Sequence, residues 1–171
     1  MKTLKEIAVE EMEKLGADFS YTISDRISDK MWDGMKAVYT ESIGLPEKEI
    51  RDQIGGVTAF PEGGDVDCGD HIFIFVETIK DLYEENKIIL LTNMGIESIE
   101  DMIRQTVRHE WRHSKQIIAF REAGIDLEKF YNNTKIQDYT QQMVEIDAIR
   151  FQMGYEDNLD SLIEKAKELV A

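Results

Sequence analysis

The chain has 171 residues, 42% of them hydrophobic, two prolines and a formal charge of −15. This is enough length for one hydrophobic core, and the composition excludes a disordered or low-complexity chain. The negative charge argues against a partner held by a phosphate backbone, so no nucleic-acid binding is expected.

"TLKEIAVEEMEKLG" predicts a first amphipathic helix, with Leu4, Ile7, Ala8 and Met12 on one face. The same stretch is charged throughout and lacks the apolar centre of a signal peptide, and no run in the chain reaches the length of a membrane span. A cytoplasmic protein with no membrane partner is the expectation. "FSYTIS" suits a short strand. "SDKMWDGMKAVYTESIG" predicts a second helix ending at Gly44, and Pro46 opens a third, "PEKEIRDQIGG".

The middle of the chain changes character. β-formers around residues 57–60 and 71–77 flank a loop rich in Gly and Asp, and predict two strands. Cys68 is the one cysteine, which rules out an intramolecular disulfide or a Cys-rich zinc site. Asp65, Asp67 and Asp70 resemble a calcium loop superficially. Val76 stands where an EF-hand counted from Asp65 needs its glutamate, so the three are read as turn residues. "KIILLTN" is apolar and too short for periodicity to separate strand from helix. Ser98 and Asp101 approximate a capping box, opening a helix to about Gly124, and two more helices follow near 136–153 and 157–170. The fold class is α+β: a mostly helical single domain over 1–171, with a small sheet. Residues 1–70 form an N-terminal part, 71–153 a core and 154–171 a C-terminal helix.

"VRHEWRHSKQ" places two of the three histidines four residues apart. At about 100° per residue, Ile99, Met102, Ile103, Val107, Ile117 and Phe120 share one arc of the wheel, and His109, Glu110 and His113 fall inside it. Arg104, Arg108, Arg112 and Lys115 fall on the opposite, solvent-facing side. The motif thus interrupts a buried stripe, where an unpaired polar group is costly and needs a partner. Histidines at i and i+4 can direct ring nitrogens at one ion. Glu110, turned by about 100° from His109, reaches a water better than the same ion. This is the H-E-x-x-H arrangement of zinc peptidases, with Glu110 as general base.

A catalytic zinc takes three protein ligands and keeps one position open. The residues leave the third ligand undecided between His71 and a carboxylate of "QDYTQQMVEIDAIRFQMG", where Glu145 and Asp147 compete. Tyr131 and Tyr139 could donate to an oxyanion, although most tyrosines are packing residues.

"HEWRHSKQ" followed by "EIDAIRF" resembles the small gluzincin-type metallopeptidases, such as the ImmA/IrrE group and compact phage-encoded peptidases, which carry HExxH and then E-x-x-A-x-x-F on a later helix. The resemblance covers about 71–153. It implies a zincin-like fold, Zn²⁺ held by His109, His113 and Glu145, and a peptide or protein substrate. It further implies Ala148 as the small residue between the two helices and Phe151 as a core contact behind the site. The strand "HIFIFV" would match the edge strand that pairs with an extended peptide. The rival expectation is a non-enzymatic interaction protein whose helical N-terminal half binds a partner and whose metal is structural or absent.

Overall fold

A computed structural model describes residues 1–16, 20–43, 50–59, 71–134, 142–156 and 158–171. Among these, seven helices surround a three-stranded sheet: α1 (Leu4–Leu15), β1 (Tyr21–Ser24), α2 (Asp29–Ile43), β2 (Gly56–Ala59), β3 (His71–Phe75), α3 (Val76–Met94), α4 (Ile99–Glu122), α5 (Leu127–Thr134), α6 (Met143–Gln152) and α7 (Asp160–Val170). The architecture is α+β. The helix expected from Pro46 and the loop carrying Asp65, Asp67, Cys68 and Asp70 lie largely or wholly outside the described residues.

The sheet runs in the order β1-β3-β2, with β1 parallel and β2 antiparallel to β3. Successive side chains of a strand point to opposite faces, and β3 divides accordingly. Ile72 and Ile74 join Ile7, Ala8, Met12, Ile79, Ile103 and Val107 in a core between the sheet, α1 and α4. Phe73 and Phe75 pack with Ile27, Trp32, Ile50, Ile54 and Val57 on the other face. Burial on both faces explains why "HIFIF" reads as an unbroken apolar run. It also corrects one expectation: β3 is the central strand, not the edge, because β1 and β2 occupy its two sides. The edge beside α4 is β2.

α1 begins with a reciprocal capping box, in which Thr3 Oγ1 accepts from Glu6 N and Glu6 Oε2 accepts from Thr3 N. Ser98 likewise caps α4 by accepting from Asp101 N at 3.1 Å. "KIILLTN" resolves as helix, the second half of α3 beyond a kink at Asn86, where φ is −121° and ψ is 15°. The expected strand 71–77 ends two residues early, and α3 starts directly at Val76. α5 lies in a stretch that reads as helical in the sequence but in which no separate helix is delimited. Its signal was present in Asp126, whose side chain accepts from Lys129 N at 3.0 Å. With Phe120, Val144, Leu162 and Ala166 it closes a second helical core at the C-terminal end.

The helical wheel misplaces the basic residues of α4. This 24-residue helix is packed by α1, α3, α6 and the sheet, so it has no broad solvated side. Arg104 Nη1 and Arg108 Nε instead bracket Glu11 of α1 at 3.1 and 2.6 Å, with Glu11 1% exposed. Arg112 is buried as well. Removing one partner of such a group strands the remaining charge, at about 3–5 kcal/mol for fully buried pairs. Arg104 and Arg108 keep side-chain exposures of 26% and 28%, which softens the penalty. Glu11→Ala should lower the unfolding free energy in urea by roughly 3 kcal/mol, near the lower end of that range. A loss under about 1 kcal/mol, the scale of surface pairs, would show that the group acts as an exposed ion pair.

Candidate metal centre

α4 presents His109 and His113 one turn apart, with ring centroids separated by 4.6 Å and planes near perpendicular at 84°. α6 packs along α4 and supplies Glu145 from its first turn, where the positive end of the helix dipole favours a carboxylate. Glu145 is 6% exposed and Ala148, three residues on, is fully buried. His109 Nε2 lies 3.3 Å from Glu145 Oε2, His113 Nε2 lies 3.3 Å from Glu145 Oε1, and the two Nε2 atoms are 3.0 Å apart. Among the described residues these are the three His, Cys, Asp or Glu side chains grouped to hold one ion, with ligand atoms within 4.8 Å of one another.

The protons of the two imidazoles are engaged elsewhere. Gln116 Nε2 donates to Val144 O at 2.9 Å and to Asp147 Oδ2 at 2.6 Å, which turns its Oε1 towards His113 Nδ1 at 2.9 Å. An acceptor there requires Nδ1–H. Gln152 Oε1 faces His109 Nδ1 at 2.9 Å in the same way. With both neutral rings protonated at Nδ1, both Nε2 atoms present bare lone pairs to each other and to a carboxylate. Glu145 Oε2 is correspondingly a buried atom with no hydrogen-bond partner. Three acceptors facing one point without a hydrogen among them call for a cation, either a proton or a metal ion. The donor set, two imidazoles and one carboxylate, suits a divalent transition metal, zinc among others.

The electrostatics of the metal-free protein agree. Burial works against a charged His113, yet Glu145 and, further off, Glu110 raise its pKa well above the histidine value of 6.5. Burial also works against the charge of Glu145, and the two imidazoles more than offset it, holding the carboxyl below its usual 4.5.

Glu110 is directed elsewhere, towards the edge strand. Thr58 Oγ1 of β2 lies 2.8 Å from Glu110 Oε2 as a donor and 3.0 Å from the Glu110 backbone oxygen. A Cβ on Gly56 would come within 2.7 Å of Glu110 Cγ and 3.0 Å of its Oε1, so the strand carries no side chain where the glutamate crosses it. Glu110 is 7% exposed and acts electrostatically on His113 without joining the ligand cluster.

The rival ligands are committed to other contacts. Asp147 accepts from Arg112 Nε at 2.7 Å and Arg112 Nη2 at 2.9 Å, a bidentate pair that also holds Gln116. His71 lies outside the cluster, its Nδ1 and Nε2 at 2.8 and 2.7 Å from the hydroxyls of Ser20 and Thr22. Phe151 stacks on Trp111 at 5.2 Å and lies under the Arg112 guanidinium, a packing contact beside the site. Tyr131 belongs to the C-terminal helical core, and Tyr139 falls outside the described residues. Sequence reasoning missed Gln152, Gly56 and Thr58 and gave Gln116 no role. For Gln116 a signal existed, since it follows His113 by three residues and so lies on the same side of α4. For the other three, nothing local in the sequence points to the site.

Comparison with protein-family models, with curated proteins and with solved structures returns no match for this chain.

The His113–Glu145 pair carries a pH signature. A raised histidine pKa contributes stability that is full below 6.5 and is lost as pH rises through the folded value. A lowered carboxyl pKa contributes stability that is full above 4.5 and is lost as pH falls through the folded value. In chelator-treated protein the pair should therefore stabilise most between pH 4.5 and 6.5, with urea stability declining on the alkaline side. Glu145→Gln should flatten that decline. An alkaline slope identical in the two proteins would place its origin in another group.

Proposed function

We propose that this chain is a zinc-dependent metallopeptidase with a zincin-like fold, acting on a peptide or protein in the cytoplasm. The observation that carries the reading is the three-donor cluster of His109, His113 and Glu145 with the separate carboxylate of Glu110 beside it. A structural zinc closes its shell with four protein ligands, whereas a catalytic one keeps a position for water or substrate. Among the described residues the cluster has three members, and the competitors His71 and Asp147 are bonded elsewhere.

A bound zinc would supply Lewis acidity, polarising a carbonyl oxygen and bringing the pKa of a water down to about 7. His109, His113 and Glu145 would hold the ion. Glu110 accepts a proton from the attacking water as the new C–O bond forms, and delivers it to the amine nitrogen as the C–N bond breaks. The Thr58 hydroxyl occupies Glu110 Oε2, which fixes the carboxylate and leaves Oε1 to take that proton.

The test begins with metal content. Purified protein dialysed against metal-free buffer should retain about one zinc per chain, as one mononuclear site requires, and His113→Ala should lose it. Glu110→Gln should keep both the metal and the fold, because the amide is nearly isosteric. It should slow cleavage of the best substrate from an unbiased peptide library by roughly 10²–10⁴-fold, the usual contribution of acid–base assistance. Wild-type protein that fails to take up added Zn²⁺ at micromolar concentration overturns the metal site. Wild-type cleavage rates in Glu110→Gln overturn the role of the glutamate.

A further inference from the structure

The two ligand histidines end on side-chain amides. Each Nδ1 meets a glutamine Oε1 at 2.9 Å, Gln116 for His113 and Gln152 for His109. The two glutamines arrive differently. Gln116 lies on α4 itself, fully buried, and its amide nitrogen is tied to Val144 O and to Asp147, which is clamped by Arg112. Gln152 is the last residue of α6 and reaches back across the helix pair to the other imidazole. Glu145, Asp147 and Gln152 all belong to α6, so the helix that brings the third ligand also sets the orientation of both histidines.

We infer that Gln116 and Gln152 are the positioning residues of the metal centre, fixing both imidazoles with hydrogen on Nδ1 and so directing both Nε2 lone pairs at one ion. The inference rests on the metal-site reading above and adds which ring nitrogens bind and what holds them. The chemistry of the acceptor matters. A ligand imidazole whose other nitrogen meets a carboxylate becomes a more basic ligand and adds negative charge to the site. A carboxamide oxygen fixes the same tautomer with no charge. Glu145 is then the one anionic ligand, and the ion retains a net positive charge once bound. Such a centre keeps more positive charge on the ion than one backed by carboxylates, which favours its action as a Lewis acid.

Gln152 is the better handle for a test, because it lies at a helix end and outside the Arg112–Asp147 clamp. Gln152→Met keeps the length and volume of the side chain and removes the acceptor, whereas Gln152→Glu keeps an acceptor. The probe is Zn²⁺ alone, titrated into the chelator-treated full-length chain. Gln152→Met should weaken zinc binding by about 10–100-fold, the usual effect of removing an outer partner of a ligand, and Gln152→Glu, whose carboxylate is a stronger acceptor, should bind zinc at least as tightly as wild type. Thermal melting of the metal-free proteins checks that folding is equal. Histidine ring ¹H–¹⁵N spectra of zinc-loaded wild type should show metal on Nε2 and hydrogen on Nδ1 for both His109 and His113, a pattern that a purely structural role for the glutamines would not impose. Gln116→Met should weaken zinc in the same range; should it fail to fold, the Gln152 pair and the spectra decide the matter. Unchanged affinity in a folded Gln152→Met, or metal on Nδ1 of either ring, overturns this inference while leaving the metal site intact. Wild-type protein that binds no zinc overturns both together.

Discussion

Three lone-pair donors meet at one buried point with no hydrogen to share, and much of the arrangement around α4 and α6 follows from that constraint. A buried carboxylate facing two imidazole nitrogens is tolerable only if a cation neutralises it. In the metal-free chain His113 takes that part by holding a proton, with Glu145 kept ionised opposite it. A divalent ion satisfies all three donors at once, and the lone pairs already face the position it would occupy.

Holding that geometry requires two helices in fixed register. Arg112 and Asp147 cross from α4 to α6 as a bidentate pair, and Gln116 joins the same carboxylate and the backbone of Val144. One turn of α6 is thereby fastened to α4 next to Glu145. On the far side of α4, Arg104 and Arg108 fasten α1 through Glu11. Each clamp is ionic and largely buried, so each depends on complete pairing, and each specifies how a neighbour sits on the central helix. Residues of the N-terminal 70 are therefore part of the support of the site: α1 braces the helix that carries both histidines, and β2 receives Glu110.

The separation of Glu110 from the ligand cluster is a chemical division. The turn of the helix sends it to β2, where Thr58 fixes one oxygen and Gly56 leaves space for the side chain. In the function proposed above, this separation leaves Glu110 free to exchange protons with a water at the ion instead of ligating it. Beyond the kink at Asn86, the second half of α3 exposes Ile88, Ile89 and Leu91.

Much of the site is legible in residues 98–122 alone. A cap at Ser98, an apolar stripe and two histidines four apart determine a buried helix with converging imidazoles, because helical periodicity is a local property of the chain. "HIFIF" likewise announces a strand. It does not announce a central one, since a strand's neighbours come from distant segments, and β1 and β2 make it so. The wheel assigned Arg104, Arg108 and Arg112 to solvent for the same reason. A helix viewed alone has a polar side, and only the arrival of Glu11 and Asp147 turned that side into buried ion pairs. The wheel of α6 could not choose Glu145 over Asp147, and the family likeness favoured Glu145; the contact between α4 and α6 pairs Asp147 with Arg112 and leaves Glu145 facing the two rings. Gln152 and Thr58 were illegible because a hydrogen bond depends on distance in space, and these residues lie 43 and 52 positions from the groups they hold. The sequence by itself determined which side chains could bind an ion; only the tertiary structure decided which of them face one another, because that depends on how separate helices and strands pack.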